Sequence, residues 1–563
     1  MKSLATLFTK YPEMAVYLAI GIGYLIGKLK FHGVGFGVVT GSLLGGIFIG
    51  NFFHVPVSDQ AKAMLFLLFL FGIGYSVGPS FFQNLKGDGW RWVLLGVFVP
   101  IVGLLTAYTV ARSLKLDPGY AAGLLSGALT ESPTIGTAAE AIRGLPVSDD
   151  QKQQWISHIA VADAICYIFG TLGVILVCSS LGPKLLGIDL RAESKKVEDA
   201  LGIRHTKLGV ASAWQPIGFR AYTIPTNGRA AGKTISEAER SMSGARLFVE
   251  RIRRSGEIFS PVSTTVLEAG DTIAVLGRTE ALINLLGPLS RETTDPELLD
   301  IPVASFGLYV TSDRFAGKTL GEISENIDEA RSVLLRRITR GEQTIPIGPG
   351  TVIQRGDTLE VSGSQAAVER LAPLVGRMIS PTEDTDLTVL GVAIFLGVLV
   401  GGVLTVPIAH LRITLGTSVG TLLAGVTVGW LRSVKPWFGR IPDGAIHFMK
   451  DIGLAAFVAM VGLKAGPVFI NAVRQYGYIL FLGGIVVTLT PLITGLFFGR
   501  YVVKLNPLLL LGGLAGAQTM IAGAAAVQEK SGSPVATLGY SYTVALGHIL
   551  LTTWGTIIVA LMT

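Results

Sequence analysis

Charged residues are scarce in this chain of 563 residues, at 15% against about a quarter in ordinary soluble proteins. The scarcity is uneven. Residues 191–380 hold 24 Lys+Arg and 23 Asp+Glu, whereas the other 373 residues hold only 22 and 16. Because a bilayer core tolerates long apolar segments and few ions, this pattern indicates a membrane protein interrupted by a soluble region. It excludes the secreted, disordered and nucleic-acid-binding classes.

Cysteine and the usual catalytic motifs are also lacking. Cys166 and Cys178 lie twelve residues apart in one apolar run, too far apart on a helix to form a disulfide. The chain has no Cys/His zinc cluster, metalloprotease spacing or nucleophile elbow. The segment from Gly228 to Thr234 has three residues between its glycines where a phosphate-binding loop requires four. We therefore expect no enzyme, no bound metal and no cofactor.

Long apolar runs are abundant and fall into two groups of six. Each has roughly the length that crosses a bilayer. They cover residues 13–29, 34–53, 61–79, 90–111, 119–142 and 155–181, and then 387–406, 413–431, 447–466, 477–499, 507–528 and 537–562. The sequence thus predicts a multi-pass α-helical membrane protein in a lipid bilayer.

The two groups are copies of each other. GYSVGPSFF (74–82) aligns with GLKAGPVFI (462–470), and LDPGYAAGLLSGALT (116–130) aligns with LNPLLLLGGLAGAQT (505–519). This is an internal duplication with the soluble part inserted between the copies. The predicted domains are membrane repeat 1 (1–190), a first insert (205–292), a second insert (293–382) and membrane repeat 2 (383–563).

The insert is itself duplicated. AGKTISE (231–237) recurs as AGKTLGE (316–322), and the Gly270-Asp271 turn recurs as Gly356-Asp357. Short alternating strands with one helical stretch each predict two small α+β domains of about 75 residues that pack as a pair. Neither contains a strand followed by GxGxxG. We expect a regulatory, ligand-sensing or dimerising role, with bracing of the two membrane halves as the alternative.

The fifth apolar run of each half is interrupted by polar residues. Residues 121–142 read AAGLLSGALTESPTIGTAAEAI, and their partner 512–527 reads GGLAGAQTMIAGAAAV. A polar, proline-containing centre cannot remain a simple helix in lipid. If both runs dip in and return, each half crosses five times, the copies are inverted, and both termini lie opposite the insert. We favour this fold, because paired broken helices are typical of secondary transporters.

These interruptions carry the candidate substrate-binding residues. Interrupted helices expose amides and carbonyls at mid-membrane, and the N-terminus of a half-helix suits a carboxylate. The alternative is that the interruptions are packing kinks. The candidates are Thr130, Glu131, Ser132, Pro133, Thr134, Gln518 and Thr519.

Ionisable residues inside apolar runs are further candidates, because such groups are costly in lipid and tend to line cavities. We expect Glu131 to be either a proton or cation site or a group that repels anions. Lys464 either binds substrate or extends to the interface. Asp163 and His548 align with each other, which indicates structural pairing or coupling.

Two other aligned pairs lie near segment ends. Glu140 and Glu529 are expected at the interface. Arg112 and Arg500 either anchor helix ends or steer anions toward the site.

GYSVGPSFF, GALTESPTIGTAAEAI and GAQTMIAGAAAV, together with the paired inserts, give the chain its resemblance to the aspartate:alanine exchanger family. The inserts resemble the C-terminal subdomain of regulators of potassium conductance. The resemblance implies exchange of a small anionic amino acid or dicarboxylate across a bacterial inner membrane without ATP. It also implies cytoplasmic inserts and a homodimer. Independently of the resemblance, we expect an unknown small regulatory ligand on the inserts. No nucleic acid partner is expected.

The chain departs from what the resemblance leads us to expect at three positions. Ser76 stands where a basic residue is expected, Lys464 is in the second copy instead, and Asp163 stands where an aromatic residue is expected. Aspartate:alanine antiport is the first prediction and a succinate-type dicarboxylate exporter the second. An ion channel or cation-coupled transporter gated by the inserts belongs to another class, but the chain has no TVGYG-like filter.

Overall fold

The computed structural model describes residues 2–28, 30–31, 34–35, 37–84, 89–202, 217–226, 228, 230–241, 247–286, 290–327, 330, 333–340, 343–379, 384–408, 411–414, 416–435 and 438–563. The predicted domain boundaries at 205 and at 382–383, and Arg229 of the rejected phosphate loop, lie outside these residues. The chain forms two units. The first contains Met1–Val197, Arg340–Ile345 and Thr382–Thr563, and the second contains Glu198–Thr339 and Pro346–Pro381.

The N-terminal half of the first unit is helical apart from one short hairpin. Its elements are α1 (Lys2–Lys10), α2 (Pro12–Gly27), β1 (Lys30–Phe31), β2 (Val34–Gly35), α3 (Gly37–Phe52), α4 (Asp59–Asn84), α5 (Trp90–Ser113), α6 (Pro118–Ala128), α7 (Pro133–Arg143), α8 (Asp149–Leu176), α9 (Gly182–Leu186) and α10 (Leu190–Leu201).

The insert comprises two sheet domains of the same topology. The first contains β3 (Ile217–Thr223), α11 (Ile235–Arg240), β4 (Leu247–Arg254), β5 (Glu257–Phe259), β6 (Thr272–Arg278), α12 (Thr279–Ala281), β7 (Arg291–Thr293) and α13 (Pro296–Leu299). The second contains β8 (Val303–Val310), α14 (Leu320–Asn326), β9 (Val333–Arg340), β10 (Gln343–Ile345), β11 (Thr358–Ser364), α15 (Gln365–Val375) and β12 (Gly376–Ile379). Their strand orders, β5-β4-β6-β3-β7 and β10-β9-β11-β8-β12, are equivalent.

The C-terminal half repeats most helices of the first, with one long helix in place of α4 and α5. Its elements are α16 (Leu387–Val403), β13 (Thr405–Ile408), β14 (Leu411–Thr414), α17 (Thr417–Val434), α18 (Asp443–Phe497), α19 (Pro507–Ala517), α20 (Ile521–Ser531) and α21 (Ala536–Met562). Among the described residues, five helical segments are long and apolar enough to cross a bilayer: Asp59–Pro79, Trp90–Ser113, Asp149–Leu186, Asp443–Val502 and Ala536–Met562.

The repeated motifs of the insert build repeated turns and caps. Thr234 and Thr319 begin α11 and α14, and each forms a capping box with the Glu three residues later. The backbone N–H of Thr234 holds the pKa of Glu237 below its usual value. The two domains touch where Phe248 and Leu276 of the first pack on Leu334 of the second. The prediction of two paired α+β domains is therefore confirmed.

The predicted segments 447–466 and 477–499 are joined in the structure. Both belong to α18, a continuous helix of 55 residues that contains Pro467 and Pro491. The prediction of two separate segments was wrong because the stretch between them has no helix-stopping sequence. It reads PVFINAVRQY, and Pro467 interrupts the backbone hydrogen bonding at one position without ending the helix.

Helices of the two halves pack crosswise. Gly74 of α4 lies against α17, where an added Cβ would be 2.2 Å from the carbonyl oxygen of Leu422. The equivalent Gly462 of α18 lies against α3, where an added Cβ would be 2.4 Å from the carbonyl oxygen of Leu43. A reciprocal contact of this kind indicates an approximate two-fold relation between the repeats. Both glycines allow the backbones to touch.

The two copies run in opposite directions. Gly453 of α18 lies against Leu65 near the start of α4, whereas Gly72, seven residues farther along α4, lies against Met449, which precedes Gly453 in α18. Equivalent helices are thus antiparallel, and the predicted inverted arrangement of the repeats is confirmed.

The interrupted runs enter and return on the same side. Gly119 at the start of α6 touches Trp155, and Gly127 at its end touches Asp163, so α6 and α8 are parallel. The end of α7 is joined to the start of α8 by residues 144–148 alone, so α7 must bring the chain back to the side where α6 began. In the second copy Gly512 and Gly516 contact Ala536 and Tyr540 in the same way.

This register corrects the alignment of Asp163 with His548. Gly127 and Gly516 are equivalent, and they contact the carbonyl oxygens of Asp163 and Tyr540, respectively. Tyr540 is therefore the counterpart of Asp163. The sequence alignment was wrong because 36 residues separate Gly127 from Asp163, whereas only 24 separate Gly516 from Tyr540.

We expect Gly74→Ala and Gly462→Ala each to destabilise the protein by roughly 1–3 kcal/mol, because the added methyl groups would overlap backbone atoms of the other half. Gly391→Ala in α16 is the matched control, since an added Cβ there meets nothing within 4 Å. Thermal unfolding of the detergent-purified variants measures the effect. Equal melting temperatures for all three variants would contradict the crosswise packing.

Candidate functional site

Each interrupted run contains one threonine in the left-handed backbone region. The φ angles are 57° for Thr130 and 54° for Thr519. Both threonines end a half-helix in a Schellman motif, in which two amides bond back to the preceding turn. The bonds are Thr130 N–H to Gly127, Glu131 N–H to Ser126, Thr519 N–H to Gly516 and Met520 N–H to Ala515, at 2.9 to 3.2 Å.

Glycine normally takes this position, because a β-branched side chain is strained at positive φ, at about 1–3 kcal/mol per residue. The hydroxyl groups account for the choice of threonine. Thr130 donates to the carbonyl oxygen of Gln518 at 2.8 Å, and Thr519 donates to Oε2 of Glu131 at 2.7 Å. Each strained residue is thus tied to the opposite interruption.

Glu131 is the most heavily bonded side chain at this crossing. Its side chain is only 1% exposed and, besides the bond from Thr519, it accepts the Thr552 hydroxyl at 2.9 Å. Nδ1 of His548 lies 3.2 Å from Oε1 of the carboxylate. Glu131 therefore links the first interruption both to the second and to α21.

A cavity of about 280 Å³ opens beside the crossing. This volume suits a ligand of amino-acid size better than a drug-sized one. The residues that line it come from several elements of the first unit and include two acids, two cations and one histidine. They are Val39, Phe69, Ile73, Ser76, Val77, Thr130, Glu131, Ser132, Pro133, Tyr167, Arg340, Gln343, Lys450, Asp451, Leu454, Thr519, Ile521, Tyr540, Ser541, Val544, Ala545 and His548.

Most of the candidate site residues come together at this cavity. Thr130, Glu131, Ser132, Pro133 and Thr519 line it, and Ser76 and His548 complete the set.

Two candidates are buried just behind the cavity wall. The Thr134 hydroxyl donates to the carbonyl oxygen of Leu551 at 2.9 Å, which fastens α7 to α21. The Gln518 side chain is fully buried, and both its amide atoms lack a hydrogen-bond partner among the described residues.

Two others lie elsewhere. Asp163 accepts a 2.5 Å hydrogen bond from Ser126, which joins α8 to α6. Lys464 forms an ion pair with Asp59 at 2.8 Å and does not line the cavity. The reason is the two-fold relation, which puts Ser76 at the cavity and its sequence equivalent Lys464 at the opposite end of the helix pair.

Sequence reasoning missed Lys450, Asp451 and Tyr540, which line the cavity, and Thr552, which bonds Glu131. Lys450 and Asp451 could have been found, since they are charges inside the apolar run 447–466. Nothing local distinguishes Tyr540 or Thr552 from other polar residues of α21.

Packed side chains fill the space between α4, α7 and α18 on the side away from the cavity. Phe66 of α4 stacks on Phe457 of α18 at 4.3 Å between ring centroids, and Gly136 of α7 packs on the Phe66 ring. Beyond these rings the Asp59 carboxylate lies 2.9 Å from Nζ of Lys62. Among the described residues, the two stacked rings therefore lie between the cavity and the Asp59 end of these helices.

Glu140 fixes the end of α7 to the start of α17. Its carboxylate accepts the Thr417 N–H and hydroxyl, both at 2.6 Å, and the Ser418 N–H at 3.1 Å. A carboxylate there satisfies amides that the helix itself leaves without partners. The aligned Glu529 is exposed. Both residues were expected at the interface, but Glu140 caps α17 whereas Glu529 is exposed.

No group of three or more metal-ligating side chains occurs within the part of the chain that the structure describes.

We expect Glu140→Ala to speed amide hydrogen exchange over the first turn of α17 by roughly 5- to 30-fold, the equivalent of a lost helix cap. Glu529→Ala is the matched control and should leave the starts of α3 and α17 unchanged. Exchange is followed by mass spectrometry on the intact protein. The same effect from both substitutions would show that Glu140 does not hold α17.

Comparison with known proteins identifies the membrane part and the insert separately. The family model described as the predicted permease membrane region of aspartate:alanine exchangers matches residues 15–183 and 389–560. The TrkA-C domain model matches residues 219–287 and 308–376.

Similar proteins span nearly the whole chain. An uncharacterized transporter of Bradyrhizobium diazoefficiens is 48% identical over 90% of this chain and 98% of its own length. Uncharacterized transporters of Bordetella bronchiseptica and Shewanella oneidensis are each 37% identical over the full chain and over 98% and 100% of their own lengths. The chain therefore belongs to the aspartate:alanine exchanger family of predicted permeases, in which a transporter membrane region is split around two TrkA-C domains.

Proposed function

We propose that this protein is a secondary active antiporter that exchanges small carboxylate substrates, with aspartate and alanine as the first candidates. The observation that carries the proposal is the pair of interruptions tied to each other by Thr130 and Thr519 beside a small cavity. Mirrored breaks of this kind are where secondary transporters hold their substrates.

The cavity wall supports a carboxylate ligand. Ser132 and Pro133 at the start of α7, and Ile521 at the start of α20, line the cavity. Helix N-termini carry partial positive charge and amides that bind anions. Lys450 and Arg340 also line the cavity and supply cationic side chains.

The acids of the cavity favour an amino acid over a simple dicarboxylate. Glu131 and Asp451 line the same wall as the two cations. Two acids matched by two cations suit a ligand with both a carboxylate and an ammonium group, whereas a dicarboxylate such as succinate gains nothing from the acids. We retain dicarboxylate export as the second candidate because the family resemblance includes it.

The location and regulation follow from the same proposal. We place the protein in a bacterial inner membrane with the two TrkA-C domains in the cytoplasm, where they regulate transport, bind a small ligand or form a homodimer.

Counterflow in liposomes tests exchange. Purified protein in vesicles preloaded with alanine, aspartate, succinate or glutamate should take up labelled aspartate, and empty vesicles should not. Uptake that is as fast into empty vesicles would overturn obligatory exchange and favour the alternative of a channel or a cation-coupled transporter gated by the insert.

Substitutions at the crossing test the site. Thr130→Val and Thr519→Val should each lower counterflow at least tenfold, since they keep the side-chain shape and remove the hydroxyl that joins the interruptions. Thr130→Ser and Thr519→Ser should retain most of the activity.

Thr171→Val is the matched control, because the buried Thr171 hydroxyl has no hydrogen-bond partner among the described residues. If the Val variants at positions 130 and 519 transport like this control, the cavity is not the substrate site.

A further inference from the structure

Three cationic side chains surround the Asp59 carboxylate at the ends of α4 and α18 that lie away from the cavity. We name Lys62, Lys464 and Arg143, together with Asp59, the distal basic cluster. Nζ of Lys464 and Nζ of Lys62 lie 2.8 and 2.9 Å from Oδ1 of Asp59, and Nη2 of Arg143 lies 3.8 Å from it. Lys62 is almost fully buried. Three cations share one carboxylate, so the cluster has positive charge in excess.

The two-fold relation connects this cluster to the cavity. Gly74 and Gly462 are equivalent, and with the same offset Lys62 is equivalent to Lys450, and Lys464 to Ser76. Lys450 and Ser76 both line the cavity. Lys62 and Lys464 therefore occupy positions equivalent to those of the cavity wall, but at the opposite end of α4 and α18.

About 20 Å of helix separate Lys62 from Ser76 on α4, since fourteen residues rise by 1.5 Å each. The stacked rings of Phe66 and Phe457 lie between the two ends. The cluster is therefore separated from the cavity by the closed part of the structure.

We propose that the distal basic cluster is the second mouth of the substrate site, on the opposite face of the membrane, and that it receives a small dicarboxylic anion. This inference rests on the proposed exchange function and deepens it by assigning a substrate class to each face. When the closed end opens, the substrate carboxylate replaces Asp59 as the partner of Lys464 and Lys62.

The two mouths differ in charge at equivalent positions. The cavity end has Lys450, the neutral Ser76 and the acid Asp451. The distal end has Lys62 and Lys464 around the single acid Asp59, and the residue equivalent to Asp451 is the neutral Ala63. The distal mouth therefore binds the substrate with the extra carboxylate more tightly, and the cavity mouth discriminates less against a substrate without it.

α7 covers the inner part of the distal mouth in this state, where Lys62 is buried, whereas the Asp59 side chain is half-exposed. Arg143 at its end faces Asp59, and Glu140 one turn earlier holds the start of α17. Opening requires this end of α7 to leave α4 and α17. Its departure removes Arg143 from Asp59 and exposes the buried Lys62, so that Lys62 and the partly exposed Lys464 can both meet the incoming anion.

Right-side-out and inverted membrane vesicles present the two faces separately. In each preparation we would measure the apparent KM of the external face for labelled aspartate and for labelled alanine by counterflow against saturating alanine inside.

Lys464→Ser should raise the aspartate KM about tenfold on one face only and leave the alanine KM within twofold. Ser76→Lys should lower the aspartate KM on the other face. Lys464→Arg keeps the positive charge and should behave like the wild type. Lys152→Ser is the matched control, because it removes a lysine that is paired with Asp149 on α8.

An equal change on both faces, or no change on either face with transport intact, would overturn the assignment of the cluster as a mouth. Ser76→Lys tests the assignment independently if Lys464→Ser does not assemble. Absence of exchange in the wild-type protein would overturn the proposed function itself, so the two failures are distinguishable.

Discussion

Two threonines held in a backbone conformation that suits glycine are the constraint on which the membrane unit depends. Thr130 and Thr519 end their half-helices at positive φ, and each donates its hydroxyl to the opposite interruption. Without these bonds the strained turns would have no compensation, and the two interruptions would lose the hydrogen bonds that join them directly. The bonds also fix Glu131, whose other partners, Thr552 and His548, belong to α21.

Close packing of backbones makes this arrangement possible. The helices carrying the interruptions lie against α8 and α21 through glycines such as Gly127 and Gly516, where any side chain would overlap a carbonyl oxygen. Apolar side chains gain little from meeting each other in lipid, because lipid is equally apolar. Small residues and backbone contacts therefore provide the specificity that a hydrophobic core provides in water.

Much of the fold was predictable because it leaves local traces in the sequence. The duplication and the paired insert domains appear as repeated sequence motifs. The re-entrant segments appear as polar interruptions of apolar runs. The continuous α18 was not predictable from apolar runs, since a helix continues wherever nothing stops it. The register of α8 against α21 depends on a twelve-residue difference between the copies that hydrophobic patterning does not detect.

Which candidate residues meet at the site was harder to predict, because the two repeats are inverted. Sequence alignment treats equivalent residues as partners, but an inverted repeat brings equivalents together only near its two-fold axis. Thr130 and Thr519 are close to the axis and their interruptions meet. Ser76 and Lys464 are far from it, so one lines the cavity while the other pairs with Asp59 at the opposite end. Equivalence therefore predicts contact at the centre and separation at the ends, and a charge present in only one copy makes the two ends chemically different.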